Sequence, residues 1–524
     1  MNQEKKINLI FFTANILIAV IGCIRIFYST NWGVWAFSDS ASYFSAARNL
    51  IQGQGMIIEK TGGGIDYYQL FPPLYPATLG VVGWLLTNYF TAARWINIMT
   101  FGFFLFLSGW VLFNLTKKPA ISLIAPALLL VSPMMIADFT GAMTEPIFLM
   151  LMMLSFLLVF SLLKEPKFIP SLLFVTVNAL LPITRYVGIV IAATNFMILL
   201  FFMQKSLKIR ILFSSIVTFI GSIPILAWFY YLYNITDRIG GRKFQLAESF
   251  VNNFFNGLKV IYDIFKTFLP YNGLYENIIS PNIRFNLSLG IFALLITATI
   301  YFLTKQVNGK KTDKFNLEKY LIFPIYAIAF IVFICFSYSV TNRSYVIDHR
   351  QLSPLIPVII IISLYSFSIL VSYLKIPHIH SNIIILCLYA FIFRFYFFSS
   401  RTLVRDLHAN GFGYTARQYQ ESGILDAIKK IPPDRIIISN SAAFVLLHDN
   451  RLPVQIDQFY AHRFGSGDAY GESKFRDHQA ALLLILPDFN NYYGEQAAEL
   501  FSVLTDKLQI AYQDPVSAIF YYPE

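Results

Sequence analysis

The run Ile7–Phe27 is longer than the roughly 18 apolar residues that suggest a membrane-spanning helix, and runs like it recur along most of the chain. Nothing constrains the fold more. Only "MNQEKK" precedes this first run and no small-residue cleavage site follows it, so it reads as an anchor helix and not as a removed signal peptide. The composition agrees: 56% of the 524 residues are hydrophobic and 13% are charged, against roughly 25% charged in an ordinary soluble domain. The chain reads as an α-helical polytopic membrane protein.

With Lys5 and Lys6 inside, the first helix runs outward and leaves residues 28–92 as a first external loop. Within that loop, "PPLYPATLGVVGWLLTNYF" (72–90) is apolar but broken at its start by Pro72, Pro73 and Pro76, so a helix embedded in the outer leaflet is expected, not a full span. Further spans are expected near 93–115, 120–137, 146–163, 168–184, 187–203, 211–233, 288–304, 320–338, 354–374 and 382–399, about eleven in all. The connections this places inside carry "TKKPA" (116–120), "KEPK" (164–167), "KSLKIR" (205–210), "KQVNGKKTDK" (305–314) and Lys375. Those it places outside carry Asp138, Glu145, Asp237, Glu248, Asp263, Glu276 and Asp348. Turning 72–90 into a full span would invert this lysine pattern in every later loop.

After residue 400 the composition becomes that of a soluble domain. "ESGILDAIKKIPPDRIIISN" (421–440) reads as an amphipathic helix, a proline turn and a buried strand. "ALLLILPD" (481–488) and "AIFYYPE" (518–524) read as further strands, with a helix over 494–508. The expected organisation is a transmembrane domain over 1–400 and a small extracytoplasmic α/β domain over 401–524. The net charge of +11 sits largely in short loops between apolar runs, which fits the positive-inside rule and not a nucleic-acid face. Cys23, Cys335 and Cys387 all fall in apolar segments, without zinc-like spacing, and no motif requires a metal or another cofactor.

The polar residues that stand out gather at the outer ends of the spans. Asp39 starts an amphipathic stretch that Gly53 and Gly55 end. Asp138 and Glu145 bracket "ADFTGAMTEPIF" (137–148), Arg185 sits in "LPITRYVG" (181–188), and Asp348, His349 and Arg350 cluster in "YVIDHRQLSPLIP" (345–357). Each has a plain alternative. Asp39, or its neighbours Ser38 and Ser40, can cap a helix. Glu145 before Pro146 is a helix-start signal. Arg185 and Arg350 can be interfacial anchors, and His349 a loop residue. Together, however, carboxylates and arginines converge on one side of a membrane whose other side is lined with lysine.

The order "DSASYFSAARNLIQGQG", "FPPLYP", "TEPIFLMLMMLS" and "TRYVG" resembles the membrane-embedded GT-C glycosyltransferases. Within them it is similar to the bacterial branch of the protein mannosyltransferase and lipid A aminoarabinose transferase superfamily (glycosyltransferase family 39-like). The resemblance covers the membrane part of the chain. It implies an inner-membrane enzyme, N-terminus in the cytoplasm, that moves a sugar from a polyprenyl-phosphate donor to a glycan, lipid or protein acceptor outside. By the same resemblance Asp39 is the catalytic base, Glu145 lies near the acceptor or supports the base, and Arg185 and Arg350 hold the phosphate of the carrier. Tyr43, Asp138 and His349 are further candidates for substrate contact.

Two departures from the pattern matter. Many members have a second acid after the first, where this chain has Ser40, which weakens any metal site. The aminoarabinose-type enzymes have a lysine before the double proline, where this chain has Phe71, so Arg48 or Lys60 becomes the candidate for the missing phosphate contact. The residue types suit the chemistry: a guanidinium matches phosphate oxygens with paired hydrogen bonds, and a carboxylate can accept the acceptor proton as an oxocarbenium-like centre is attacked. A flippase or transporter would instead place ionisable groups near span centres, within repeated broken helices, and no repeat is found. A polysaccharide polymerase or ligase would favour a long outer loop rich in Arg and His, yet 234–287 has no His.

Overall fold

The computed structural model describes residues 3–61, 63–238, 250–268, 281–307, 311–340, 346–373, 378–456, 480–505 and 508–522. Glu248, Glu276 and Lys375 lie outside them. Every apolar segment named above falls in a helix. The first is Gln3–Ser29, followed by Tyr89–Thr116, Glu145–Lys164, Phe168–Thr184, Gly188–Phe202, Leu207–Thr236, Pro281–Val307, Lys311–Val340, Leu355–Tyr373 and His378–Asn410. The segment expected at 120–137 is two helices, Pro119–Val131 and Pro133–Phe139, set at 63°. The break falls where Pro133 can give no N–H, and the Ser132 hydroxyl caps the second piece by accepting the Met135 N–H at 3.5 Å.

By length and hydropathy, 7 helices among the described residues can cross a membrane, or 8 with the bent pair as one. Phe168–Thr184 and Gly188–Phe202 are apolar but have 17 and 15 residues. They reach only about 26 and 23 Å against a hydrocarbon core of roughly 30 Å. Leu74–Leu85, with 12 residues, is far too short to cross and packs through Gly80 on Ala47 and Ile51 of Ser38–Ile51. This agrees with the expectation that 72–90 is not a full span. A helix that the sequence reading left within an outer loop, Phe250–Phe268, lies against Cys335 and Tyr338 of Lys311–Val340.

Polar groups inside the bundle bond across helices, as a solvent without hydrogen bonds demands. Arg25 donates to the Leu130 carbonyl at 3.2 Å and to Ser400 Oγ at 2.5 Å, tying three helices together. Asn195 donates to Ser155 Oγ at 2.8 Å and Asn178 Oδ1 at 2.9 Å.

The C-terminal part carries a five-stranded sheet in the order Val454–Gln455, Ile436–Ser439, Ala480–Ile485, Ser517–Tyr521, Gln509–Gln513. The first three strands are parallel and the last two antiparallel. Ile436–Ser439 and Ala480–Ile485 are buried throughout, which is why they read as continuous apolar runs. The expected helix over 494–508 is Ala497–Thr505. A hairpin of Ile57–Lys60 and Ile65–Tyr67 in the first loop extends, through Ile57–Lys60, to Arg451–Leu452.

One short stretch between the first helix and Asp39 joins three parts of the chain. Trp35 bridges Gly141, its N–H bonding the Thr140 carbonyl at 2.9 Å while its own carbonyl accepts the Ala142 N–H at 2.8 Å. Ala36 bridges Gly413 and accepts the Tyr414 N–H at 2.9 Å. Glycine is required at both contacts. A Cβ on Gly141 would lie 2.3 Å from the Trp35 ring, and one on Gly413, at φ +66°, would lie 2.6 Å from the Ala36 carbonyl oxygen. Gly141→Ala and Gly413→Ala are each expected to destabilise the protein by about 1–3 kcal/mol, read as a lower melting temperature in detergent. A melt unchanged by either substitution would remove that contact from the framework.

Candidate active site

Helix Ser38–Ile51 places Asp39 in its first turn, where the helix dipole favours an anion. The capping role weighed for this region falls to Ser40, whose hydroxyl accepts the Phe37 N–H at 3.3 Å. The Asp39 carboxylate instead faces Arg350, with Oδ2 3.7 Å from Nη1. Arg350 is held from behind by Asp348, whose Oδ2 lies 2.9 Å from Nη2 and accepts from Nε at 3.0 Å. Asp348 is itself fixed as the N-cap of the short helix His349–Leu352, its other oxygen accepting the Gln351 N–H at 2.9 Å. A planar guanidinium gripped along one edge aims the remaining nitrogen in one direction. Here that direction is Asp39.

A second pair lies deeper. Glu145 opens helix Glu145–Lys164 with Pro146 behind it, and its side chain, 4% exposed, is ion-paired with Arg185. The Thr144 hydroxyl donates to the other Glu145 oxygen at 3.4 Å. Arg185 stands just past the end of Phe168–Thr184 with its guanidinium 5.8 Å from the Phe148 ring centre. Met143 lies against the first pair: its sulfur accepts from Ser40 Oγ at 3.5 Å and lies 3.6 Å from Arg350 Nη1, while Glu145 and Arg185 are close enough to act on the Asp39 carboxyl. Asp138 is 2% exposed, with Ser353 beside its carboxylate and no hydrogen-bond partner for Oδ2.

The other sequence candidates divide. Tyr43 is buried beside the cluster, one turn along the helix from Asp39, its ring packed on Phe71 (5.0 Å) and Tyr75 (5.2 Å). His349 is exposed next to Arg350. Arg48 is not brought to the cluster. It lies nine residues beyond Asp39, about 13 Å along the helix, and donates to the carbonyls of Leu446 (3.4 Å) and Leu447 (2.6 Å) near the C-terminal end of Ala442–Asp449. It clamps that helix end, a usual position for a cation. Lys60 pairs loosely with Asp66 across the first-loop hairpin at 4.0 Å. Phe71, standing where a lysine was looked for, completes an aromatic wall. Arg48 is thus engaged with backbone carbonyls and not with the cluster. Sequence reasoning missed Met143, for which it holds no signal. It also missed the clamping role of Asp348, which the N-cap spacing from Asp348 to Gln351 could have suggested.

Burial holds the Asp39 carboxyl above the ordinary carboxylate range, against the pull of Arg350. Its neighbours Glu145 and Asp348 add to the rise and Arg185 opposes it. A raised carboxyl is a better proton acceptor, and one that an acceptor hydroxyl can reach: the side chain is 32% exposed.

No family model matches the chain, and no curated protein matches it significantly by sequence. Solved structures do match in fold. The chain is similar to ArnT from Cupriavidus metallidurans bound to undecaprenyl phosphate, at 11% identity and a TM-score of 0.57, covering 96% of this chain and 97% of that one. It is similar to the archaeal oligosaccharyltransferase AglB from Archaeoglobus fulgidus, in complex with an inhibitory peptide and a dolichol-phosphate, at 13% identity and a TM-score of 0.56, covering 97% of this chain and 74% of that one. The fold is therefore the GT-C architecture that these glycosyltransferases share.

The Asp39 environment sets a stability test. A carboxyl raised on folding is charged less readily in the native state than in the unfolded chain. Its ionisation therefore weakens the fold as pH climbs from the unfolded value through the folded one. Asp39→Asn is expected to melt at or above the wild-type temperature at pH 7, with the gain disappearing below about pH 4, where both side chains are neutral. A lower melting temperature at pH 7 would make the Asp39–Arg350 contact a structural one.

Proposed function

We propose that this chain is an inverting glycosyltransferase that moves a sugar from a polyprenyl-phosphate donor to an acceptor hydroxyl outside the membrane, with Asp39 as general base. The observation that carries this reading is the convergence of Asp39–Arg350 and Glu145–Arg185, near enough to act on one another, at one end of the bundle. The matched structures, bound to undecaprenyl phosphate and to dolichol-phosphate, support the class of donor.

In this reading the acceptor oxygen gives its proton to the Asp39 carboxylate as it bonds to the anomeric carbon. The bond from that carbon to the phosphate oxygen breaks, and its electron pair leaves with the phosphate. Guanidiniums can meet that developing charge with paired hydrogen bonds. Arg350 and Arg185 supply them. Glu145 keeps Arg185 extended, and its position beside Tyr43 and Tyr75 suits contact with the acceptor. The apolar helix Leu74–Leu85, lying along Ser38–Ile51, offers the hydrocarbon surface that a polyprenyl tail needs.

Orientation follows from the other end of the same helices. Glu145 and Lys164 sit at opposite ends of one 20-residue helix, and Lys117, Lys164 and Lys319 lie close enough to repel one another. A lysine-rich end facing the cytoplasm puts Asp39 outside.

The test uses purified protein in nanodiscs and a panel of polyprenyl-phosphate sugars, with sugar transfer or release as the readout. Asp39→Asn is expected to lower turnover by roughly 10²–10⁴-fold while donor binding persists. Arg350→Lys, which keeps the charge and loses the two-edged grip, is expected to weaken turnover at least tenfold by about 1.4 kcal/mol or more. Undiminished turnover in Asp39→Asn would remove the base role. Failure of the wild type to consume any donor would overturn the reading.

A further inference from the structure

The five-stranded sheet carries a feature that the membrane site does not use. Its three parallel strands, Ile436–Ser439, Val454–Gln455 and Ala480–Ile485, all end on the same edge. The chain leaves Ile436–Ser439 to pair on one side with Val454–Gln455 and then returns to pair on the other with Ala480–Ile485. Strand order thus reverses between Ile436–Ser439 and Ala480–Ile485, and at such a point the loops diverge and open a crevice beyond the strand ends. Asn440 holds that crevice open at its base. Its side-chain amide donates to the Ile485 carbonyl at 3.0 Å and accepts the Ile485 N–H at 2.9 Å, bridging two neighbouring strand ends.

A cavity of about 400 Å³ sits there, lined by Asn440, Gln455, Asp488, Asn491, Tyr492 and Tyr414. A second, of about 610 Å³, shares Tyr414, Asp488 and Asn491 with it and reaches Phe37. Together they form a trough whose far end is two residues from Asp39, within about 7 Å of chain. Phe37 and Tyr414, which both line the second cavity, meet edge-on at 5.5 Å at this end of the trough.

The lining has a consistent chemistry. Tyrosine rings offer flat apolar faces with a polar rim, and Tyr492 is 74% exposed with its neighbour Tyr493 set against it at 4.8 Å. Side-chain amides and one carboxylate supply paired donors and acceptors at fixed heights. The ion pair at the margin, Arg417 with Glu421 at 2.8 Å, is self-compensated. Among the described residues that line the first cavity, the one charged side chain is the Asp488 carboxylate, which disfavours an anionic ligand there. A pyranose ring, with apolar C–H faces and a hydroxyl rim, matches both parts of the lining.

We propose that this trough is the acceptor site and that it takes a neutral oligosaccharide, stacked on Tyr492 and bonded through Asp488 and Asn491, whose end reaches Asp39. This rests on the glycosyltransferase reading and names its acceptor class. The pocket volume fits two or three sugar units, and a trough of this length sets the acceptor hydroxyl by its distance from the stacking platform.

Glycan binding can be measured without turnover. The full-length protein in nanodiscs is probed by saturation-transfer NMR with a panel of neutral trisaccharides (gluco-, manno- and galacto-configured) and one uronic-acid trisaccharide. At least one neutral member is expected to bind, with at least tenfold weaker binding in Tyr492→Ala and in Asp488→Asn. Tyr492 is exposed and Asp488→Asn is isosteric, so melting temperatures serve as the folding control. Donor consumption without binding of any neutral member overturns the acceptor proposal and leaves the enzyme reading intact. Binding that neither variant weakens places the glycan elsewhere and overturns it too, as does preference for the uronic acid. Binding that depends on Tyr492, in a protein that consumes no donor, upholds the trough as a glycan site and overturns the enzyme reading instead.

Discussion

The end of the molecule that carries the candidate site is organised around a backbone pairing only two residues long. Trp35 and Ala36 lie extended between two partners, Gly141 on one side and Gly413 on the other. Hydrogen bonds of 2.8–2.9 Å on each side make this stretch a minimal central strand. The consequences spread in three directions. Asp39 follows three residues after Ala36, and Glu145 follows four after Gly141, so the pairing sets the spacing of the two acids. Gly413 leads directly into Tyr414 and on towards the C-terminal sheet, so the same pairing ties the C-terminal part of the chain to the candidate site. The Trp35 indole adds a bond to the Ala137 carbonyl at 2.9 Å, and Asn97 reaches the Gly141 carbonyl at 2.6 Å from the helix behind.

The framework is needed because the site it carries resists assembly. Carboxylates outnumber guanidiniums in the cluster, with Asp39, Asp138, Glu145 and Asp348 around Arg185 and Arg350. Taking such charges out of water is unfavourable, and breaking a buried pair by removing one partner costs about 3–5 kcal/mol. Hydrophobic side chains would fill the same space with less strain. A cluster of this kind persists where rigid surroundings overdetermine it, and the aromatic wall of Tyr43, Tyr75 and Phe71 supplies much of that rigidity.

Much of the fold was legible because it follows from periodicity and length. Apolar runs became helices, proline clusters became a short apolar helix and a bend, and two all-apolar runs became buried parallel strands. The site was legible as a set of residues, since acids and arginines at span ends stand out in an apolar chain, but not as a set of pairs. Nothing in the spacing says that Arg350 answers to both Asp39 and Asp348, or that Arg185 answers to Glu145, because those contacts form between segments far apart in the chain. Arg48 shows the converse. Its charge made it a phosphate candidate, while its contacts are backbone carbonyls of a helix, Ala442–Asp449, that the sequence reading did not anticipate. The hairpin Ile57–Lys60 with Ile65–Tyr67 was hidden for a related reason: its strands are short and half-exposed, and one of them pairs with a strand almost four hundred residues later.

The geometry of Arg350 also bears on how a site already rich in carboxylates can take a phosphate. Its contacts are unequal, at 2.9 and 3.0 Å to Asp348 and 3.7 Å to Asp39. The looser one is the exchangeable one. On the proposed reading, a donor phosphate takes the Arg350 nitrogen that faces Asp39, while Asp348 keeps hold of the other edge. Asp39 then loses the one cation that draws its proton affinity down most, and its carboxyl rises further. On the same reading the base would be strengthened by the arrival of the group that leaves, while a water molecule entering an empty site would meet a carboxylate still restrained by its arginine. An Arg held by a single acid would have to choose between orienting the phosphate and restraining the base. Held by two, it does both in turn.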